Sequence, residues 1–145
     1  MNTSNNTIRI ITQGFYGNRV ATEIERENVN FFLKGILSPE LFPDEDKKVN
    51  RKIVKVPSTD NIVIVYDQNK EDRYVNETFS EIHKRSGEEY KEHTGKEMTM
   101  YVSCEIPEID LTLHTRCFAC RIDENGELQS LENGDSKYFI DYFTI

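Results

Sequence analysis

The chain has 145 residues, the size of one domain and enough to take roughly two-thirds of its unfolded surface out of water. Apolar residues make up 37% and charged residues 30%, with 8 Phe and 7 Tyr, which excludes a disordered chain. Net charge is −8, distributed as +1 over residues 1–37, −3 over 38–100 and −6 over 101–145, so the C-terminal third is poorly suited to neutralising a nucleic-acid backbone.

Residues 1–6 are polar and lack the basic start and apolar middle of a secretory signal, so they are expected to form a frayed tail of a cytoplasmic protein. The sequons at Asn5 and Asn76 then carry no weight. An odd count of three cysteines, Cys104, Cys117 and Cys120, agrees with reduced thiols. The apolar run Ile62 to Tyr66 is about five residues long, far short of the roughly 20 that cross a bilayer, so no membrane partner is expected.

Residues 7–14 alternate Ile8, Ile10 and Thr12, and residues 19–25 alternate Val20, Thr22 and Ile24. With Gly17 and Asn18 between them, this predicts an N-terminal hairpin. From Glu27 to Leu37 the period changes to Val29, Phe32, Leu33 and Ile36, the spacing of an amphipathic helix that stops before Pro39. Residues 38–50 hold Pro39, Pro43 and a charged run, and read as a surface loop. The β-branched runs 52–57 and 61–66, joined by Ser58-Thr-Asp60, predict a second hairpin whose second strand lies inside the sheet.

Residues 70–92 place Val75, Phe79, Ile82 and Tyr90 on one stripe and predict the main helix, with Gly87 or Gly95 as its stop. Met98, Met100, Val102, Cys104 and Ile106 then alternate with polar residues up to Pro107. A long strand over 109–122, a turn at 123–126, a return over 127–131, a turn at 132–135 and a closing strand over 137–144 follow. The expected fold is a single α+β domain over 1–145. Its antiparallel sheet runs N-terminal hairpin, helix, hairpin, helix, C-terminal meander, with two helices packed on one face.

No motif forces a reaction or calls for a cofactor. Glycine spacing matches neither phosphate-cradling pattern, no Ser sits in a nucleophile elbow, and His83 and His93 lack metal-binding spacing. Cys117 and Cys120, with His114 and Cys104, suggest zinc, but an odd separation along a strand points the two thiols to opposite faces. Buried thiols are the expectation. Asp44-Glu45-Asp46 lacks the glycine and final Glu of a calcium loop.

His114 falls on a polar strand face with Asp110, Thr112 and Arg116. With Glu105 or Asp110 it would meet a carboxylate, the pairing of an acid–base site in a small hydrolase or ligand-processing enzyme. Tyr138, Tyr142 and Thr144 are expected on one face of the last strand, Phe139 and Phe143 on the other.

The acidic C-terminal third best matches a non-enzymatic protein-binding module, of the inhibitor or immunity type, that docks on a basic protein surface. Candidate contacts are Glu105, Glu108, Asp110, His114 and Arg116 on the long strand and its approach. Asp123, Glu124, Glu132 and Asp135 add the turns beyond it. A DNA mimic is the further alternative, if the carboxylates are spaced like phosphates.

Overall fold

The computed structural model describes residues 6–13, 19–36, 38–75 and 104–143. Residues 1–5 of the expected tail, most of the expected helix over 70–92, His83 and His93, and the start of the strand from Met98 lie outside the described residues.

The protein is an α+β fold on an antiparallel sheet. Strands β1 (Thr7–Gln13) and β2 (Arg19–Glu25) pair in register from Thr7 with Glu25 to Gln13 with Arg19. Chain then turns through a 3-10 segment, Arg26–Asn28, into helix α1 (Val29–Lys34). α1 is shorter than its apolar spacing predicts because Gly35 adopts φ 78° and its N–H closes back on Phe32 O, a left-handed C-terminal stop. Residues 38–50 form two 3-10 turns, each opened by a proline, at Pro39–Leu41 and Pro43–Lys48.

Strands β3 (Arg51–Lys55) and β4 (Ile62–Asp67) form the second hairpin, and every residue of β4 is buried. Helix α2 (Gln68–Val75) follows without a loop. Asp67 caps it: its Oδ1 accepts from Asn69 N–H at 3.0 Å and from Asn50 N–H at 3.1 Å. Short strands β5 (Cys104–Ile106) and β6 (Leu111–Leu113) make a separate two-stranded ribbon. Strand β7 (Cys117–Ile122) enters the main sheet, and β8 (Leu128–Gln129) pairs with it.

Strand order in the main sheet is β2-β1-β7-β4-β3, so the C-terminal strands are not one meander. β7 is wedged between the two N-terminal hairpins. It is apolar on both faces, Cys117, Phe118, Ala119 and Cys120 all being buried, as a central strand requires. On one face Phe118, Val63, Val65, Ile8 and Ile10 pack under Val29 and Leu33 of α1. On the other, Ile62, Ile64, Tyr66 and Ala119 pack under the ribbon and the C-terminal turns, through Cys104, Ile106, Leu113, Phe139 and Phe143.

Two expected strands are corrected. Residues 109–122 do not run as one strand: Pro107–Ile109 is a 3-10 turn, Asp110 takes φ 52°, and a bend at residues 114–116 separates β6 from β7. Residues 137–143 are not a strand either. Asp135–Tyr138 is a 3-10 segment, and Phe139 N–H to Ser136 O and Tyr142 N–H to Phe139 O continue the turns. Phe139, Tyr142 and Phe143 therefore all face inward, while Tyr138 is exposed. No helix among the described residues is long and apolar enough to cross a membrane.

Candidate functional site

The bend at residues 114–116 is built around a carboxylate from α2. Glu71 is 5% exposed and accepts from His114 N–H at 3.0 Å, Thr115 N–H at 3.1 Å and the Thr115 hydroxyl at 3.1 Å. His114 Nδ1 lies 2.8 Å from Glu71 Oε1. Successive amides of a strand point to opposite edges, so one carboxylate can take two of them only where the chain leaves the extended form. That is why the predicted long strand breaks here. Glu105, the expected neighbour of His114, instead pairs with Thr112 in the ribbon and faces solvent. Glu71 carries no sequence signal of this role, because an acid in the first turn of a helix ordinarily complements the helix dipole.

Arg116 lies half-buried on the other side of the bend, with Cζ 4.9 Å from the centre of the Phe32 ring. Burial lowers its pKa from the usual guanidinium value. Phe32 in turn meets Phe118 edge-on at 5.8 Å, so Arg116 closes the α1 side of the core.

Glu105 on β5 and Glu108 and Asp110 in the turn that leads to β6 are all exposed. Inward-facing Cys104, Ile106 and Leu113 anchor the ribbon to the core, which forces the alternate residues outward. The C-terminal turn locks against it: Glu105 N–H donates to Tyr142 O at 2.9 Å, and the Tyr142 hydroxyl donates to Glu108 Oε2 at 2.9 Å. Burial, then the Glu108 carboxylate, pushes the Tyr142 hydroxyl up to about 12. In the turn that leads to β6 Ile109 is 47% exposed, and Ile140 in the C-terminal turns is 46% exposed. The ribbon turn is thus acidic, with exposed Ile109 between Glu108 and Asp110 in the chain. No ion pair among the described residues engages Glu105, Glu108 or Asp110.

The remaining predicted contacts lie elsewhere. Asp123 is committed to the β7–β8 turn, its Oδ1 accepting from Asn125 N–H and Glu127 N–H, both at 2.9 Å; those backbone bonds hold its carboxyl below the usual range. Glu124 is exposed at the tip of that turn. Asp135 is buried, bound in two-pronged fashion to Arg121 at 2.7 and 2.8 Å, with Glu132 N–H donating to it at 2.7 Å. Arg121 lies 3.7 Å from the exposed Glu132 carboxylate, along a polar groove of about 490 Å³ shared with Arg26, Asn61 and Gln129. Asp135 is thus withdrawn from any docking face.

Cys117 and Cys120 lie in the cores on opposite faces of the sheet, as their odd spacing requires. Burial raises both thiols, Cys120 to about 12, and the Cys104 sulfur beside Cys117 raises that one further. Among the described residues no three His, Cys, Asp or Glu side chains converge as a metal site. No protein-family model, curated protein or solved structure matches this chain.

Proposed function

We propose that the chain is a protein-binding module that presents the acidic ribbon to a basic protein surface. One observation carries this reading: Glu105, Glu108 and Asp110 are exposed along the ribbon and its turn, with exposed Ile109 between the last two, and none is spent on an ion pair with a described residue. Exposed carboxylates steer a cationic partner in, and an exposed apolar side chain among them buries area against it. An inhibitor or immunity-type protein acts through this kind of contact.

The test is capture of partners from the native cell by the unaltered chain and by a Glu105→Lys/Asp110→Asn variant. Asn suits Asp110 because it tolerates the left-handed conformation there, and Glu108 is left in place to hold Tyr142. Partners eluted by salt and lost with the variant support the reading. Partners retained by the variant, or insensitive to salt, reject it.

A second reading is favoured by the 2.8 Å contact between Glu71 and His114 Nδ1. A carboxylate that orients one imidazole nitrogen is the arrangement of a general acid–base pair, and the His114 side chain is 34% exposed. In this reading the chain is a small hydrolase with His114 as proton carrier and Glu71 as positioning residue. Turnover of chromogenic ester and phosphate panels no faster with the unaltered chain than with His114→Gln removes it.

A further inference from the structure

The register of β3 leaves one edge of the main sheet with a defined row of hydrogen-bonding groups that no described strand uses. Val56 N–H donates to Ile62 O at 2.8 Å, and Gln68 N–H donates to Asn50 O at 2.9 Å. Between them lie the pairs Val54 with Ile64 and Lys52 with Tyr66. Hydrogen-bonded pairs of an antiparallel ladder recur at every second residue, so positions 50, 52, 54 and 56 turn amide and carbonyl toward β4. Arg51, Ile53 and Lys55 therefore turn theirs away from the sheet. β3 ends the strand order among the described residues, and all three are exposed.

Charge decides what this edge accepts. Arg51, Lys52 and Lys55 put three cations on a five-residue strand of a chain whose net charge is −8. The Arg51 guanidinium is held by Asn30 Oδ1 at 3.0 and 3.3 Å, while Lys52 and Lys55 enter no ion pair among the described residues. A second copy of β3 laid on this edge would set cation against cation, and like charges on facing strands repel. Lysine on an edge is thus a guard against self-pairing. The same charges attract a strand that carries carboxylates. Ile53, 37% exposed between Arg51 and Lys55, gives such a strand an apolar contact at its centre.

We propose that β3 is the docking edge for an extended acidic segment of another protein, which adds to the sheet as a further strand. This is the peptide-recognition mode in which backbone bonds supply affinity and alternate side chains supply selectivity. Antiparallel addition fixes the motif. The residue facing Lys55 is acidic, those facing Val54 and Ile53 are apolar, and those facing Lys52 and Arg51 are acidic. The edge is distinct from the acidic ribbon and opposite to it in sign.

Fluorescence polarisation of a labelled peptide with a Glu-Val-Val-Glu-Glu core, titrated with the full chain, tests this. Binding is expected to saturate, to fall about tenfold for Lys52→Glu/Lys55→Glu, and to return when that variant meets a Lys-Val-Val-Lys-Glu core. Ile53→Pro removes an amide that the ladder to β4 does not use, and proline is tolerated where the strand N–H faces solvent. It is expected to lower binding at least about tenfold with the thermal midpoint changed by only a few degrees. A scrambled peptide of the same composition that binds equally overturns the proposal, as does an oligodeoxythymidine strand that competes irrespective of Ile53→Pro. Failure of the acidic peptide to saturate overturns it outright. Should Ile53→Pro not fold, the charge exchange and the scrambled peptide decide between strand addition and simple charge adhesion.

Discussion

The Glu71 carboxylate lies 2.8 Å from Nδ1 of His114 and ties the first turn of α2 to the bend between β6 and β7, 43 positions further along the chain. Because the same carboxylate accepts from two backbone amides and a hydroxyl, it holds a conformation that neither flanking strand would adopt alone. Glu71→Gln keeps the shape but removes the charge and places an amide donor among donors. We expect a loss of about 2–3 kcal/mol in urea unfolding, since bonds to a charged acceptor are the strong ones. His114→Ala deletes one contact of the set and is expected to cost about 1 kcal/mol. Equal losses for the two variants would show that the bend does not depend on Glu71.

Phe118 is fully buried at the centre of the sheet, edge-on to Phe32. Phe118→Ala leaves a cavity between α1 and β7 that the surrounding strands cannot close, at an expected cost of about 3–5 kcal/mol. Against a total stability of about 5–15 kcal/mol, this variant should be partly unfolded at physiological temperature. Circular dichroism melting measures it.

Acid should unfold the protein through Asp135 and Asp123. The Arg121 guanidinium, bonded to Asp135, holds that carboxyl below its ordinary value of 3.8, and backbone N–H groups do the same for Asp123. A lowered native pKa contributes stability that is complete above the unfolded value and is lost as pH falls through the native one. Urea midpoints should therefore be insensitive to these two groups down to about pH 4 and then drop. Asp135→Asn is expected to be less stable at neutral pH and to lose less between about pH 4 and pH 2. A variant that retains the full acid-side loss would contradict the assignment.

The thiols should be silent in the folded chain. All three cysteines are buried, and Cys117 and Cys120 are held protonated by their surroundings, whereas disulfide reagents react with thiolates. At about pH 8 we expect no rapid colour with Ellman-type reagent and reaction of every thiol once denaturant is added. One fast thiol in the native protein would mean that a sheet face is open.

Much of the architecture was legible in residue order. Alternation at Ile8 and Ile10, helical spacing at Val29 and Leu33, and the doubly apolar run of β4 each reported the environment that the fold supplies. The breaks were harder to see. Residues 109–122 have strand composition throughout, and what divides them is Glu71, a residue from another element whose effect leaves no local trace. At the C-terminus a signal was present: Phe139, Tyr142 and Phe143 stand at helical spacing, which fits turns better than the alternation expected of a strand. The exposed ribbon acids were anticipated from charge alone. Asp135 carried the same charge and was withdrawn, because only tertiary pairing with Arg121 distinguishes it.

The position of β7 also constrains how the chain can be made. Among the described residues, the two hairpins completed first, β1 with β2 and β3 with β4, join in the sheet only through a strand that begins at Cys117. A nascent chain on the ribosome that has not yet released this strand holds two hairpins, each with an unfilled apolar edge where β7 will insert. Such edges recruit other nascent chains readily. Slow translation or truncation just ahead of Cys117 should consequently yield aggregates, whereas release of the few residues up to Ile122 lets the sheet zip shut in a late, long-range step.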